Sequence, residues 1–157
     1  MTHTFHAIPT KDAERYRNGA PDAYGAVPER KISDGGSNPC RHCLRHIPKG
    51  AEMLVLAYRP FDAPQPYAET GPIFLCAERC TRWAPSAALP PILTSETYLL
   101  RGYGPDDRIV YGSGKVTATG DIAERLEALF TDPEIRYVHL RSASNNCFQA
   151  RIERDGG

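Results

Sequence analysis

The sequence predicts one α+β domain over residues 1–157, in which two helices cover a largely antiparallel sheet. A chain of 157 residues is long enough to bury one substantial hydrophobic core. Short apolar or alternating segments recur along it and are typical of strands. Fourteen prolines and thirteen glycines separate these segments and predict a loop-rich fold. Two further segments carry helix start and stop signals, which completes the α+β pattern.

The first half of the chain predicts one helix and four short strands. Thr10 is expected to cap the helix, with Asp12 and Glu14 in the first turn, where the helix dipole favours acidic groups. Gly19 is expected to end the helix. The strands are predicted at residues 5–9, 30–33, 52–58 and 72–76.

The second half predicts a helix between two hairpins. Thr97–Tyr103 and Arg108–Gly112 are expected to pair across a Gly-Pro-Asp-Asp turn. A helix follows at residues 121–131, with Asp121 as its cap and Glu124 completing a capping box. Its apolar stripe is formed by Ile122, Leu126, Leu129 and Phe130. The last hairpin joins residues 136–141 to residues 147–153.

Charge and hydropathy exclude two classes of partner. Nineteen basic and nineteen acidic side chains give a net charge of zero, whereas a basic surface dominates binding to nucleic acid or anionic membranes. We therefore expect no nucleic acid and no membrane as partner. The N-terminal segment lacks the pattern of a targeting signal, and the apolar runs are far shorter than a membrane span. The expected location is the cytoplasm.

Four of the five cysteines fall in two tight pairs, Cys40-Arg-His-Cys43 and Cys76-Ala-Glu-Arg-Cys80. An odd number of cysteines fits thiols or a metal site better than a fully paired disulfide framework. Cysteines two residues apart can present both sulfurs to one zinc ion from a tight turn. The second spacing suits a helical turn, where residues i and i+4 share a face. The pairs predict a zinc clamp of Cys40, Cys43, Cys76 and Cys80, in which His42 or His46 could replace one cysteine.

Other interpretations of the same cysteines stay open. They could be buried reduced thiols, a disulfide such as Cys43 with Cys80, or a thiol redox sensor. A thioredoxin-like role for the first pair is disfavoured, because that motif opens a helix after a strand and Pro39 with its glycine-rich approach supplies no such strand.

The terminal hairpin predicts a second candidate site. Alternation places Val138 and Leu140 on one face, together with Phe148, Ala150 and Ile152. The opposite face carries His139, Arg141, Cys147, Gln149 and Arg151. This polar, cationic surface could bind a small anion, and His139 could act as a general base beside the Cys147 thiol.

An ordinary half-exposed antiparallel sheet shows the same alternation, so the polar face is also compatible with no site at all. Glu69 is a further acid or base candidate. Its alternative is a structural pairing with an arginine such as Arg59.

Several sequence blocks together resemble the bacterial domain of unknown function family 1203. They are Pro39-Cys-Arg-His-Cys-Leu-Arg45, Tyr58-Arg-Pro-Phe61, Pro66-Tyr-Ala-Glu-Thr-Gly-Pro-Ile-Phe-Leu-Cys76, Leu100-Arg-Gly-Tyr103, Val138-His-Leu-Arg-Ser142 and Asn145-Asn-Cys147. The resemblance runs across nearly the whole chain and implies a single bacterial cytoplasmic domain. The family carries no established activity.

The resemblance also bears on the ligands. It implies that some relatives have adjacent cysteines at the positions of His42 and Cys43, and a histidine at the position of Cys76. A histidine at the position of Cys76 suits metal ligation. The shifted cysteine weakens the assignment of Cys40 as a ligand. Cys43 and Cys80 are therefore the firmest predicted ligands.

The leading hypothesis is an uncharacterised protein with a structural zinc site and no assignable reaction. The alternatives are a small enzyme or anion-binding protein using His139, Arg141 and Cys147, and a thiol redox sensor. The sequence does not decide the oligomeric state.

Overall fold

The computed structural model describes residues 3–155, which form eight strands and two α-helices. In chain order they are β1 His3–His6, α1 Thr10–Arg17, β2 Glu29–Ile32, β3 Glu52–Tyr58, β4 Gly71–Cys76, β5 Thr97–Tyr103, β6 Lys115–Ala118, α2 Ile122–Leu129, β7 Tyr137–Ser142 and β8 Phe148–Arg154. A short 3-10 turn at Thr119–Asp121 leads into α2. Neither helix in residues 3–155 is long and apolar enough to cross a membrane.

The strands divide into two antiparallel sheets. The large sheet has the order β1-β8-β7-β5-β6, and the small sheet has the order β2-β3-β4. The predicted α+β class with antiparallel pairing is confirmed, although the strands form two sheets and not one. Strand β1 begins earlier than predicted, because His3 to His6 pair with the end of β8 and the chain then leaves the sheet.

Helix α2 lies on one face of the large sheet, as its apolar stripe predicts. The stripe residues Ile122, Leu126, Leu129 and Phe130 are all buried and pack against β5, β7 and β8. The strand residues in this core cluster are Tyr98, Leu100, Val138, Leu140 and Ile152. The opposite face of the sheet is turned toward the small sheet, since Phe148 of β8 packs in one core cluster with residues of β3 and β4.

One of the two predicted helix caps has the predicted position. Asp121 is the N-cap residue of α2 but makes no side-chain capping bond, since its backbone belongs to the 3-10 turn. Pro9 holds the N-cap position of α1, and Thr10 lies inside the helix with its hydroxyl bonded to His42. Gly19 follows α1 with a φ of 87°, a left-handed conformation that ends helices and that glycine adopts at little cost.

The predicted strand at residues 108–112 is also wrong. Strand β5 pairs instead with β6, which the sequence pattern did not indicate. Residues 108–112 contribute an isolated bridge between Ile109 and Tyr103. The Val110 N–H bonds the Gly102 carbonyl at 2.9 Å, and the Ser113 hydroxyl bonds both backbone groups of Gly102, at 3.0 and 3.3 Å. A short backbone pairing, extended by one side chain, therefore takes the place of a second strand.

A β-bulge changes the faces of the terminal hairpin. Arg141 pairs with Phe148 and Leu140 pairs with Ala150, so Gln149 is an extra residue in β8. The bulge turns Phe148 to the face of Arg141. The prediction that Phe148 shares a face with Ala150 is therefore wrong, and its ring instead contacts His139, with centroids 4.9 Å apart.

A buried arginine holds the first cysteine pair between the two sheets. Arg41 donates from Nε to the Phe148 carbonyl at 2.7 Å and from Nη1 to the Pro39 carbonyl at 2.6 Å. Its backbone N–H bonds the Phe74 carbonyl of β4, and its own carbonyl accepts from Ile8. Burial lowers the pKa of Arg41 to about 10, which leaves the guanidinium charged at neutral pH.

Replacing Arg41 should destabilise the protein strongly. Arg41→Leu removes the donors from two carbonyls inside the fold, and bonds to a charged donor contribute about 1.5–3 kcal/mol each. We expect the free energy of unfolding in urea to fall by about 2–4 kcal/mol. The control, Arg45→Leu, removes the same charge from an exposed position and should change it by less than about 0.5 kcal/mol. Equal effects of the two substitutions would refute the role of Arg41.

Candidate metal centre

The first cysteine pair lies on a tight turn, residues 40–45. The Leu44 N–H bonds the Cys40 carbonyl at 2.9 Å, and the Cys40 N–H bonds the Arg45 carbonyl at 3.0 Å. Leu44 has a φ of 55°, an uncommon left-handed conformation for a residue with a side chain. Leu44 is fully buried with Ile92 and Ala150, and this packing holds the turn in place.

The second pair is at the end of β4. Cys76 is the last residue of the strand, and Cys80 lies in the irregular segment that follows. The predicted helical turn between them is wrong, because the Ala77 N–H still bonds the Glu52 carbonyl of β3 and keeps the chain extended at its start. The segment nevertheless returns Cys80 to the first pair.

The four cysteines Cys40, Cys43, Cys76 and Cys80 form one group, hereafter the cysteine cluster. Their Sγ atoms all lie within 4.8 Å of one another, and those of Cys40 and Cys80 are 3.9 Å apart. Four ligands about 2.3 Å from a tetrahedral zinc ion lie about 3.8 Å from each other. The cluster could therefore hold a metal ion of this kind.

All five cysteines are free thiols in the structure. The disulfide considered for Cys43 and Cys80 is therefore not formed. The 3.9 Å between the Cys40 and Cys80 sulfurs is also well beyond the S–S bond length of about 2.05 Å.

Neighbouring N–H groups surround the sulfurs. Arg17 donates from Nη2 to the Cys80 sulfur at 3.2 Å and from Nε to the Cys76 carbonyl at 3.0 Å. The backbone N–H of Cys76 donates to the Cys40 sulfur at 3.3 Å. Such donors stabilise negative charge on sulfur, which a metal ligand carries.

His42 lies beside the cluster and not within it. Its Nδ1 is 3.1 Å from the Cys80 sulfur, and its Nε2 is 2.9 Å from the Thr10 hydroxyl. If Thr10 donates to Nε2, Nδ1 carries the proton and donates to sulfur. His46 instead bonds the Thr94 hydroxyl at 3.2 Å. Neither histidine belongs to the group of potential ligands found in residues 3–155.

The sulfurs perturb each other's ionisation. Hydrogen bonds from Cys43 and then Cys76 lower the pKa of Cys40 to about 6. Hydrogen bonds from Cys40, Cys43 and Cys76, with a smaller contribution from His42, also lower the pKa of Cys80. The pKa values of Cys43 and Cys76 are raised, first of all by their hydrogen bonds with Cys40. Cys40 and Cys80 are therefore the thiols predisposed to ionise, and thiolate is the form of cysteine that binds a metal ion.

Two of the three residues of the second candidate site are buried, whereas Cys147 is partly exposed. His139 is 0% exposed and Arg141 is 3% exposed. Alternation assigns residues to a face but does not indicate what covers that face. Phe61, from the loop after β3, stacks near His139 with centroids 5.0 Å apart and helps to cover it.

Cys147 is not hydrogen-bonded to His139 in the described part of the chain. The Cys147 thiol contacts the Asn145 carbonyl at 3.8 Å, whereas His139 Nδ1 faces Arg141 Nη2 at 3.2 Å. Cys147 and Arg141 instead line a small cavity of about 170 Å³. Covalent catalysis by this pair stays a prediction.

Glu69 forms ion pairs with Arg101 and Arg141, and not with Arg59 as considered from the sequence. Its carboxylate bonds Arg101, lies 3.6 Å from Arg141 Nη1 and accepts from Asn146 at 2.6 Å. Arg59 donates to carbonyls of its own loop. The sequence indicated pairing of Glu69 with an arginine, but its partners come from β5, β7 and the last hairpin loop, which no local pattern connects.

The shared ionisation of the cysteine cluster predicts thiolate at neutral pH. In reduced, metal-free protein the ultraviolet absorbance of thiolate should rise well below the ordinary pKa of 9.0, because the pKa values of Cys40 and Cys80 are lowered. Cys40→Ser or Cys80→Ser should diminish this early rise, since each removes a group whose pKa is lowered. Cys147→Ser, outside the cluster, should leave it intact. A wild-type rise only near the ordinary value would contradict the geometry.

Comparison with known proteins places the chain in a family without an assigned activity. The family model described as protein of unknown function (DUF1203) matches residues 37–154, which include all five cysteines and the whole terminal hairpin. No curated protein and no solved structure matches the chain. The match covers most of the sequence, and the chain therefore belongs to the DUF1203 family.

Proposed function

We propose that the cysteine cluster binds one zinc ion and that this site is structural. The observation that carries the proposal is the approach of four sulfurs, from two distant segments, to within 4.8 Å of one another. Soft thiolate ligands favour zinc over magnesium or calcium, and four such ligands suit its tetrahedral geometry. A site closed by four protein ligands has no open position for water or substrate, which is typical of structural zinc.

The proposed ion would add a further link between parts of the fold that hydrogen bonds already bring together. Cys40 and Cys43 come from the tight turn, and Cys76 and Cys80 come from the end of the small sheet. Arg17 links α1 to the second pair, because its guanidinium bonds both the Cys76 carbonyl and the Cys80 sulfur. Bound zinc would therefore hold the turn, the small sheet and α1 together.

The surroundings suit the charge of such a site. Zinc with four thiolates carries two negative charges, which are costly to bury without compensation. Arg17 supplies a positive charge with a side chain that is only 6% exposed. The backbone N–H of Cys76 supplies a further donor to sulfur, and His42 supplies another when its Nδ1 carries the proton. The proposal places the protein in a reducing bacterial cytoplasm, where thiols remain available for metal.

Metal analysis tests the proposal directly. Protein purified under reducing conditions without added zinc should contain about one zinc per chain, and chelation should release it with four newly reactive thiols. Cys76→Ser should lose the metal. Cys147→Ser should keep it, because Cys147 is outside the cluster. Removal of zinc should lower Tm by about 10 °C or more, since ligation of folded protein adds several kcal/mol.

The redox alternative gives the opposite result. The zinc site would be overturned by three findings together. The purified protein would contain no metal, mild oxidation would form a Cys40–Cys80 disulfide, and chelation would leave the stability unchanged. This outcome would favour the thiol redox sensor instead, because the short distance between these sulfurs and the lowered pKa of Cys40 also suit oxidation.

Arg17 should strengthen zinc binding without being a ligand. Arg17→Gln removes the donor to Cys80 and the nearby positive charge, and loss of such a partner typically weakens metal affinity about 10- to 100-fold. Arg15→Gln removes the same charge from a side chain that is 58% exposed and paired with Asp12, and should leave the affinity nearly unchanged. Competition with a chromophoric chelator measures both. Equal affinities would show that Arg17 has no electrostatic role.

A further inference from the structure

A second, larger cavity lies away from the cysteine cluster. Its volume is about 600 Å³, within the range of small-molecule sites, and its walls come from β1, α1, the loop after β3, β7 and β8. Aromatic side chains line part of it, among them Tyr58, Phe61 and Phe148.

His139 and Arg151 lie together in the wall of this cavity. They are directly opposite each other in the β7–β8 ladder, so their side chains project from the same face. His139 is completely buried among four aromatic rings, which places it at the inner end. The ring centroids of Phe61, Tyr103, Tyr137 and Phe148 are 4.7–5.2 Å from that of His139.

The contacts of His139 determine which ring nitrogen carries the proton. Burial, together with the charges of Arg141, Arg151 and Arg101, holds the pKa of His139 well below its usual 6.5, so the ring is neutral. Arg141 can only donate, so Nδ1, 3.2 Å from its Nη2, must be the acceptor. Nε2 therefore carries the hydrogen. Among residues 3–155 this buried Nε2 has no hydrogen-bond partner.

Arg151 has a second unpaired donor. Its Nε is buried and has no hydrogen-bond partner within the described range. The Glu153 carboxylate is 3.3 Å from this Nε but is not aligned to accept from it. The guanidinium lies 3.8 Å from the centroid of the Tyr137 ring, which fixes its position beside His139.

Further guanidinium groups add positive charge to the cavity wall. Arg59 and Arg82 line it and donate to backbone carbonyls, and neither takes part in an ion pair found in the described residues.

The carboxylates of the wall offset this charge only in part. Asp22 accepts from three backbone N–H groups, and Asp12 is paired with Arg15 at 3.2 Å. Asp62 is exposed, and Glu153 is partly exposed and lies 3.3 Å from Arg151 Nε. The inner end therefore presents two buried N–H groups, His139 Nε2 and Arg151 Nε, that make no hydrogen bond within residues 3–155.

We propose that this cavity binds a small organic carboxylate. Two neighbouring donors, His139 Nε2 and Arg151, match the two oxygens of one carboxylate, and the aromatic lining receives an apolar body. At the inner end one guanidinium lies beside a neutral imidazole, while those of Arg59 and Arg82 are bonded to backbone carbonyls. This arrangement suits a monoanion better than a phosphate dianion. This site is separate from the proposed zinc site and does not depend on it.

Benzoate, acetate and inorganic phosphate are suitable probes of the zinc-replete, full-length protein. With histidines labelled by nitrogen-15, NMR should show His139 protonated at Nε2. Benzoate should shift this Nε2 signal with a Kd of about 1 mM or lower. Acetate should bind more weakly, because it lacks the apolar body, and phosphate should leave the signal unchanged.

Two arginine variants separate the site from general charge effects. Arg151→Gln should weaken benzoate binding about tenfold or more, since it removes a charged donor. Arg136→Gln removes the same charge from an exposed position outside the cavity and should leave binding unchanged. Urea unfolding of both variants verifies that each is folded.

Three results would overturn the proposal. They are an unchanged His139 signal at about 10 mM benzoate, binding of phosphate in preference to benzoate, and equal affinities in the two arginine variants. Zinc content is measured in the same samples, so loss of the proposed zinc site is distinguishable from failure of the carboxylate site.

Discussion

The buried guanidinium of Arg41 is the interaction on which the arrangement of this protein depends. Arg41 stands between the two cysteines of the tight turn in the sequence, and its guanidinium bonds the Phe148 carbonyl in the large sheet. The backbone of the same residue bonds β4 in the small sheet. A charged group this deeply buried is stable only when its hydrogen bonds are formed. Because these bonds reach both sheets, they fix the position of the turn between them. Cys40 and Cys43 are thereby placed beside the end of β4.

That placement explains how the cysteine cluster forms without a disulfide. The turn supplies two sulfurs, the end of β4 supplies a third, and the following segment returns Cys80 to them. Helix α1 completes the surroundings through Arg17 and through Thr10, which orients His42. Hydrogen bonds thus shape the site and its electrostatics, and the proposed zinc would add the remaining link between these segments.

Phe148 connects the two halves of the molecule. Its carbonyl accepts from Arg41 near the cysteine cluster, while its ring packs on His139 at the inner end of the larger cavity. Both contacts depend on the bulge at Gln149, which turns this side chain toward the small sheet. The proposed metal site and the proposed carboxylate site therefore share a structural support while using different side chains.

Local patterns in the sequence were sufficient for the α+β class, α2, β3, β4 and the terminal hairpin, because each depends on residues close in the chain. Cysteine spacing likewise indicated four sulfurs acting together. Tertiary structure alone decided three features. It produced the bulge that moved Phe148, it assigned Glu69 to Arg101 and Arg141, and it buried His139 under aromatic rings. Alternation specifies which residues share a face, but the burial of that face depends on contacts between segments far apart in the chain.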